Sequence, residues 1–156
     1  MRISILALML VALNTVSFSV IAEETVELDG QVFTLADGLT IEQIAGPPLI
    51  DRPIAASFDE LGRLYVTESS GSNARVYDQL EEKPHRVLRL EDTDGDGIFD
   101  KRTIFADKMM FPEGCQWYDG SLYVGAPPEI WKLTDVDDDG VADKREVFFD
   151  GKTLNG

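Results

Sequence analysis

The chain has 156 residues, of which 29 are acidic and 14 are basic, and its formal net charge at pH 7 is −15. A surface this negative repels the phosphate backbone, which excludes nucleic acid as a partner and suits cation binding. The single cysteine, Cys115, excludes a disulfide framework within the chain, and the 44% hydrophobic fraction argues against disorder.

Residues 1–22 are predicted to be a signal peptide. Arg2 supplies a positive start, a long apolar stretch follows, and Ala22 stands just before two glutamates. This layout predicts cleavage after Ala22 and export to the periplasm or the cell exterior. The alternative is a retained membrane anchor, because the apolar stretch is about long enough to span a bilayer.

Residues 23–50 are predicted to form short N-terminal strands. Two strand-like pieces flank Asp29 and Gly30, a residue pair that favours a tight hairpin turn. Leu39 to Ile44 is predicted to be one more strand, in a position to close a ring of sheets formed by the rest of the protein.

From residue 51 onwards the chain repeats itself. The acidic stretches that begin at Asp92 and Asp135 lie 43 residues apart, whereas the Leu-Tyr-Val strands lie 58 apart. The difference predicts an insertion over Ser70 to Pro84 in the first copy. The matching segments are Gly62–Val66 with Gly120–Val124, Val87–Leu90 with Ile130–Leu133, and Lys101–Phe105 with Lys144–Phe148.

Each copy has the pattern of short β-strands, in which apolar and polar residues alternate between Asp, Gly and Pro. Repeats of about 40 to 50 residues with three or four strands are typical of propeller blades. We therefore predict an all-β fold in which residues 51–156 form a partial β-propeller of about two blades. Because two blades leave apolar faces bare, the chain is interpreted as a fragment of a six-bladed propeller. Its expected partners are the remaining blades and downstream domains.

The second acidic loop matches the calcium pattern D-x-D-x-D-G-x5-E at every position. Carboxylates at positions 1, 3 and 5 converge on one hard cation, glycine makes the sharp turn, and acidic residues at positions 9 and 12 complete the shell. Gly140 is the turn residue. The predicted ligands are Asp135, Asp137, Asp139, Asp143 and Glu146.

The first acidic loop is less complete, because Thr103 stands where the second loop has Glu146, and weaker calcium binding is expected. Strand-like flanks predict calcium loops within β-hairpins rather than helical EF-hands or a dockerin. The alternative is a pair of turns without metal, although carboxylates this close repel one another unless a cation lies among them. The predicted ligands are Asp92, Asp94, Asp96 and Asp100.

Other candidate residues are interpreted without a catalytic role. His85, the only histidine, is expected to be a solvated loop residue, with proton transfer as the alternative. Cys115 is expected to be buried or paired outside the segment. Five aromatic residues are expected to take part in the packing of the blades: Trp117, Trp131, Phe105, Phe148 and Phe149.

Four segments, taken in order, resemble the planctomycete-type membrane-bound dehydrogenase domain proteins, and the resemblance spans roughly residues 38–156. It implies a large exported protein whose N-terminal propeller is similar to soluble quinoprotein sugar dehydrogenases. Helical repeats and a haem-binding cytochrome c module often follow in that family. The segments are Ala56–Ser69, Lys83–Asp92 with the acidic loop after it, Phe111–Trp117 and Trp131–Leu133.

The resemblance implies a calcium-binding N-terminal segment of a dehydrogenase-like protein that acts on sugars or related alcohols. Pyrroloquinoline quinone or haem would be bound only in the full-length protein. No catalytic or cofactor-binding residue of the family maps onto this chain. The alternative is a non-catalytic propeller that binds carbohydrate or protein partners.

Overall fold

The computed structural model describes residues 24–151, which divide between two units, residues 1–42 and residues 43–156. The predicted signal peptide, with its alternative of a retained anchor, lies outside the described residues. Among the described residues, none belongs to a helix with the length and apolar character needed to cross a membrane.

The first unit contains an antiparallel hairpin of β1 (Glu24–Leu28) and β2 (Gln31–Leu35). Asp29 and Gly30 join the two strands with φ angles of 49° and 72°. Positive φ at both central residues is the requirement of the hairpin turn that this residue pair favours.

The strand predicted over Leu39 to Ile44 is not formed, because these residues have no regular secondary structure. The amide of Leu39 closes a turn onto the carbonyl of Ala36, and the carbonyl of Ile44 accepts from the amide of Phe99. The two ends of the segment are therefore bonded to different places and do not run along one partner strand. That part of the prediction is wrong.

The second unit contains two four-stranded antiparallel sheets, and in each the strands are hydrogen-bonded in chain order. This result confirms the all-β class and the two copies of a strand repeat. Sheet 1 comprises β3 (Pro53–Phe58), β4 (Leu64–Glu68), β5 (His85–Glu91) and β6 (Lys101–Met109). Sheet 2 comprises β7 (Gly114–Tyr118), β8 (Ser121–Ala126), β9 (Glu129–Thr134) and β10 (Lys144–Asp150).

The predicted insertion contains a short helix, α1 (Val76–Glu82), between β4 and β5. It ends at Lys83, which has a left-handed φ of 48° and donates its amide to the carbonyl of Gln79. The insertion lengthens the connection between the second and third strands of sheet 1, which accounts for the unequal spacing of the repeats.

The main core lies between the two sheets, and side chains that alternate along each strand supply it. Trp117 stacks on Tyr65 across this boundary with ring centroids 4.8 Å apart, so the prediction of a packing role for Trp117 is confirmed. The fully buried members are Tyr65, Val87 and Phe105 from sheet 1, and Leu122, Val124 and Leu133 from sheet 2.

The same aromatic pair occurs on both sheets, at equivalent repeat positions. Tyr65 and Phe105 meet edge to face at 4.8 Å and 79°. Tyr123 and Phe148 meet edge to face at 4.9 Å and 82°. The first pair is covered by sheet 2, whereas Phe148 on sheet 2 is 64% exposed.

A residue in the acidic loop of each sheet bonds, in the same way, to the chain segment that precedes that sheet. Phe99 donates its amide to the carbonyl of Ile44 at 2.8 Å, and its repeat equivalent Ala142 donates to the carbonyl of Phe105 at 2.8 Å. Residues 44–49 therefore contact sheet 1 as the last strand of sheet 1 contacts sheet 2.

Equivalent arginines repeat this relation. Arg102 donates from Nη1 to the carbonyl of Pro48 at 3.0 Å, and Arg145 donates from Nη1 to the carbonyl of Asp107 at 2.7 Å. The irregular segment of residues 44–49 therefore lies against sheet 1 in the way that strand β6 lies against sheet 2.

Candidate metal centres

The two acidic loops occupy equivalent places, since each joins the third strand of its sheet to the fourth. Residues 92–100 connect β5 to β6, and residues 135–143 connect β9 to β10. Both flanks of each loop are strands, as the sequence predicts for calcium loops within hairpins.

The hydrogen bonds inside the loops repeat closely. Asp94 Oδ1 accepts from the amide two residues ahead at 3.3 Å, and so does Asp137 Oδ1. Asp96 Oδ1 and Asp139 Oδ1 each accept from the amide two residues ahead at 2.8 Å. Each of these carboxylates uses one oxygen to hold the turn, which leaves its second oxygen for another ligand.

The turn at position 6 requires glycine in both loops. Gly97 and Gly140 have φ angles of 92° and 98°, which an L side chain rarely adopts. At Gly140 a Cβ atom would also lie 3.0 Å from Nη2 of Arg89 and from Cγ2 of Thr103. The second loop is therefore pressed against sheet 1 at this point.

Carboxylate oxygens of three aspartates come within 4.8 Å of one another in each loop. These groups include six of the nine predicted ligands. The group in the first loop is Asp92, Asp94 and Asp96, and the group in the second loop is Asp135, Asp137 and Asp143. The predicted ligands outside the groups are Asp100, Asp139 and Glu146.

Asp100 and Asp143 differ in how many of their carboxylate oxygens are hydrogen-bonded, because position 2 of the loop is Thr93 in one case and Val136 in the other. Asp100 accepts from the amide of Thr93 at 3.2 Å and from its hydroxyl at 2.6 Å, so both carboxylate oxygens are bonded. Asp143 accepts from the amide of Val136 at 2.7 Å. Because valine has no hydroxyl, Val136 bonds only one oxygen of Asp143, and the carboxylate can join the acidic group.

Glu146 lies beyond the second loop, within β10. It is exposed and stands opposite Lys132 of β9 in the register of the sheet. Its strand position explains why the structure does not bring it into the group of three.

Asp135, the first aspartate of the second group, has only 5% of its side chain exposed. Its Oδ2 atom accepts from the amide of Gly140 at 2.9 Å and from Arg89 at 3.1 Å. Its Oδ1 atom is buried and has no hydrogen-bond partner among the described residues. A buried oxygen without a partner costs about 1–3 kcal/mol, and a bound cation would supply the missing interaction.

Asp92, the equivalent residue of the first loop, is satisfied by its own loop. Its two oxygens accept from the amides of Gly95 and Gly97 at 2.7 and 2.9 Å. The bond from Gly97 is the largest cause that lowers the pKa of Asp92 below its usual value. The first loop therefore carries no orphaned carboxylate oxygen at this position.

Two arginines, Arg89 of β5 and Arg63 just before β4, offset the negative charge of the second loop. Arg89 is buried and donates to Asp135 and Asp138, both at 3.1 Å. Arg63 also donates to Asp138, and this bond is the main cause that lowers the pKa of the Asp138 carboxyl. Sequence reasoning missed both arginines, because Arg63 lies 75 residues before Asp138 in the chain and Arg89 lies 46 residues before Asp135.

His85 is not the solvated loop residue that the sequence suggests. It lies in β5, is 3% exposed, accepts at Nδ1 from the amide of Ser70 and donates from Nε2 to Gln79. Burial lowers its pKa below the ordinary value. Both partners come from the insertion, whose contacts could not be read from the sequence.

Cys115 is a half-buried free thiol whose Sγ contacts the carbonyl of Tyr65 at 3.8 Å. Burial raises its pKa to about 11. The thiol therefore stays protonated at neutral pH, which makes it a poor nucleophile.

Comparison with known proteins gives a family but no described activity. No curated protein matches the chain, and no solved structure matches it. Residues 25–156 match a family described as a domain of unknown function, DUF7133. Since this match covers most of the sequence, the chain belongs to the DUF7133 family.

Proposed function

We propose that the chain is a calcium-binding segment of a β-propeller, with one calcium ion at each acidic loop. The observation that carries the proposal is the buried Oδ1 atom of Asp135, which lacks a hydrogen-bond partner among the described residues. A buried carboxylate oxygen calls for a donor or a cation, and two further carboxylates lie within 4.8 Å.

The donor set favours calcium over other cations. The grouped side chains are all aspartates, and hard oxygen ligands suit calcium or magnesium. Calcium accepts six to eight oxygens in flexible geometry, whereas magnesium keeps several waters and needs near-octahedral order. Several protein carboxylates on a short, turn-rich loop therefore fit calcium better.

The repeated aromatic pair supports the propeller. Sheet 2 covers Tyr65 and Phe105 of sheet 1. It carries the equivalent pair, Tyr123 and Phe148, on its own far face, where Phe148 is 64% exposed. In a propeller, one face of each blade packs on the opposite face of the next blade, so the same interface repeats around the ring. We therefore expect another four-stranded sheet of the same repeat to cover this face.

Dehydrogenase-like activity on sugars or alcohols is proposed only for a longer exported protein, and it rests on the family resemblance. Within this chain we assign no catalytic residue, because His85 has both ring nitrogens bonded and the Cys115 thiol has a raised pKa. The exposed aromatic face favours the alternative of a module that binds protein partners.

Calorimetric titration of the calcium-free chain tests calcium binding. We expect heat from calcium with a higher affinity at the second loop, and a loss of that stronger phase in Asp135→Asn. The matched variant Asp92→Asn should lose only the weaker phase. A folded protein that gives no heat with calcium would disprove the proposal.

A further inference from the structure

The second acidic loop is bonded to sheet 1 as well as to its own sheet. Ala142 donates its amide to the carbonyl of Phe105 at 2.8 Å, and this bond crosses from the loop to β6. Arg89 of β5 donates to Asp135 and Asp138 of the loop. The loop is therefore part of the boundary between the two sheets.

Arg89 lies at the centre of these contacts. Its side chain is 3% exposed and also pairs with Glu91 of its own strand at 3.1 Å. A buried arginine needs its carboxylates held in place, because a displaced partner leaves an uncompensated charge in a region of low dielectric. The position of Asp135 therefore decides whether Arg89 can remain between the sheets.

We propose that calcium at the second loop clamps sheet 2 onto sheet 1, and that Arg89 is the residue that transmits its effect. The inter-sheet clamp consists of Arg89, Asp135, Asp138 and the calcium ion. Calcium engages Oδ1 of Asp135, and this fixes the carboxylate whose Oδ2 atom accepts from Arg89. The inference rests on the calcium binding proposed above.

Charge explains why the clamp depends on the ion. The loop holds five aspartates between residues 135 and 143, and without a cation their mutual repulsion favours expansion of the loop. Arg89 and Arg63 offset only part of this charge. Expansion would move Asp135 away from Arg89 and break the bond between Ala142 and Phe105.

The first loop supplies an internal comparison. Asp92 accepts from the amides of its own loop, and Gly95 stands where the second loop has Asp138. Among the described residues, no ion pair joins residues 92–100 to another element. Calcium at the first loop should therefore stabilise that loop without tightening the boundary between the sheets.

Amide hydrogen exchange, measured residue by residue by NMR on the full chain, tests the clamp. Two amides report on the boundary directly, because Ala142 donates to Phe105 and Trp117 donates to Oγ of Ser57 at 2.9 Å. We expect calcium at about 100 times its Kd to slow exchange at both amides at least about tenfold. The Asp92→Asn variant should keep this effect, and Asp135→Asn should lose it.

Arg89→Met removes the transmitting charge but leaves the aspartates of the loop in place. We expect this variant to bind calcium and to protect the loop amide of Val141, but not the amide of Trp117. Should it fail to fold, Arg89→Lys takes its place, with weakened protection of Trp117 expected. Comparison of the wild-type chain with and without calcium tests whether calcium protects the boundary, independently of either variant.

The results separate the clamp from calcium binding itself. Calcium heat with protection limited to amides bonded within the loop, such as that of Val141, would overturn the clamp and leave the proposed calcium function standing. Absence of both heat and protection in the folded protein would overturn both. Protection of Trp117 that survives in Asp135→Asn would place the effect at another site and also overturn the clamp.

Discussion

A single hydroxyl group distinguishes the two acidic loops at the residue scale. Thr93 donates from its amide and its hydroxyl to Asp100, so it occupies both carboxylate oxygens. Val136, its equivalent, donates only from its amide to Asp143. Competition from this hydroxyl is therefore expected to weaken the cation site proposed at the first loop.

Replacing this threonine should strengthen calcium binding at the first loop. In Thr93→Val one oxygen of Asp100 is released, and loss of a hydrogen bond worth about 1 kcal/mol should raise affinity about fivefold. Calorimetry measures this directly. The reverse variant, Val136→Thr, should lower the affinity of the second loop by a similar factor, and unchanged affinity in both variants would show that the hydroxyl is irrelevant.

His85 should make stability depend on pH. Because burial lowers its folded pKa, the unfolded state binds the proton more readily, with a pKa of about 6.5. Stability is therefore fully present above that pKa and falls as pH decreases towards the folded pKa. His85→Gln should flatten the melting temperature measured from pH 7.5 to 5.5.

The same histidine allows a direct check, because it is the only one in the sequence. Its ring protons give one NMR titration curve, which should have a midpoint below 6.5. A midpoint at or above that value would contradict the buried, neutral state inferred from its contacts with Ser70 and Gln79.

Sequence reasoning at this scale found residue types but not their bonds. The spacing of aspartates predicted both loops, and the structure groups six of the nine predicted ligands. It could not predict that Asp100 is occupied by Thr93, or that Arg89 reaches Asp135 from 46 residues away. Those facts depend on strand pairing and sheet packing, which no local pattern contains.

At the scale of elements, Trp117 joins the two sheets. Its amide donates to Ser57 Oγ at 2.9 Å, its indole nitrogen donates to Glu60 at 2.6 Å, and its ring stacks on Tyr65. Strand β7 is thus held against sheet 1 by one side chain and its backbone.

Truncation of this side chain should loosen the boundary between the sheets. Trp117→Ala removes a large, partly buried ring, and we expect the free energy of unfolding to fall by about 2–4 kcal/mol. Trp117→Phe keeps a stacked ring but loses the bond to Glu60, so a loss of about 1 kcal/mol is expected. Urea unfolding followed by circular dichroism measures both, and equal losses would assign the effect to the hydrogen bond alone.

The strands were largely predictable because two-residue alternation and turn residues mark them locally. The error at Leu39 to Ile44 has a physical reason, since apolar alternation indicates a strand only if a partner edge is available along its length. Helix α1 was not predicted because seven residues carry too little periodicity. Its stability depends on tertiary contacts such as the bond between Gln79 and His85.

At the scale of the whole molecule, the two sheets have unequal surroundings. Sheet 1 is packed against on both faces, by sheet 2 on one side and by Ala45, Leu49 and Ile50 on the other. Sheet 2 is covered by sheet 1 on one face only among the described residues. The far face of sheet 2 is therefore an uncovered copy of the face of sheet 1 that forms the main core with sheet 2.

This bare surface should make the chain associate with itself. Phe148 is 64% exposed, Ile130 is 37% exposed, and Tyr123 packs against Phe148, so an aromatic face and an adjacent sheet edge are open to other molecules. We expect oligomers by size-exclusion chromatography with light scattering. Phe148→Lys should shift the protein towards monomer, because a charged ammonium cannot be buried at that face without a partner.

Leu61→Lys is the matched control for that variant. Leu61 is 74% exposed but lies in the turn between β3 and β4, away from the repeated aromatic pair. The Leu61→Lys substitution also replaces an exposed apolar side chain with a lysine. A general effect of net charge on solubility would therefore appear in both variants. If Leu61→Lys disperses the oligomers as well as Phe148→Lys does, association is not specific to the far face of sheet 2. A wild-type chain that runs as a monomer would contradict the expectation that a further sheet covers this face, because the aromatic pair would then be stable in water.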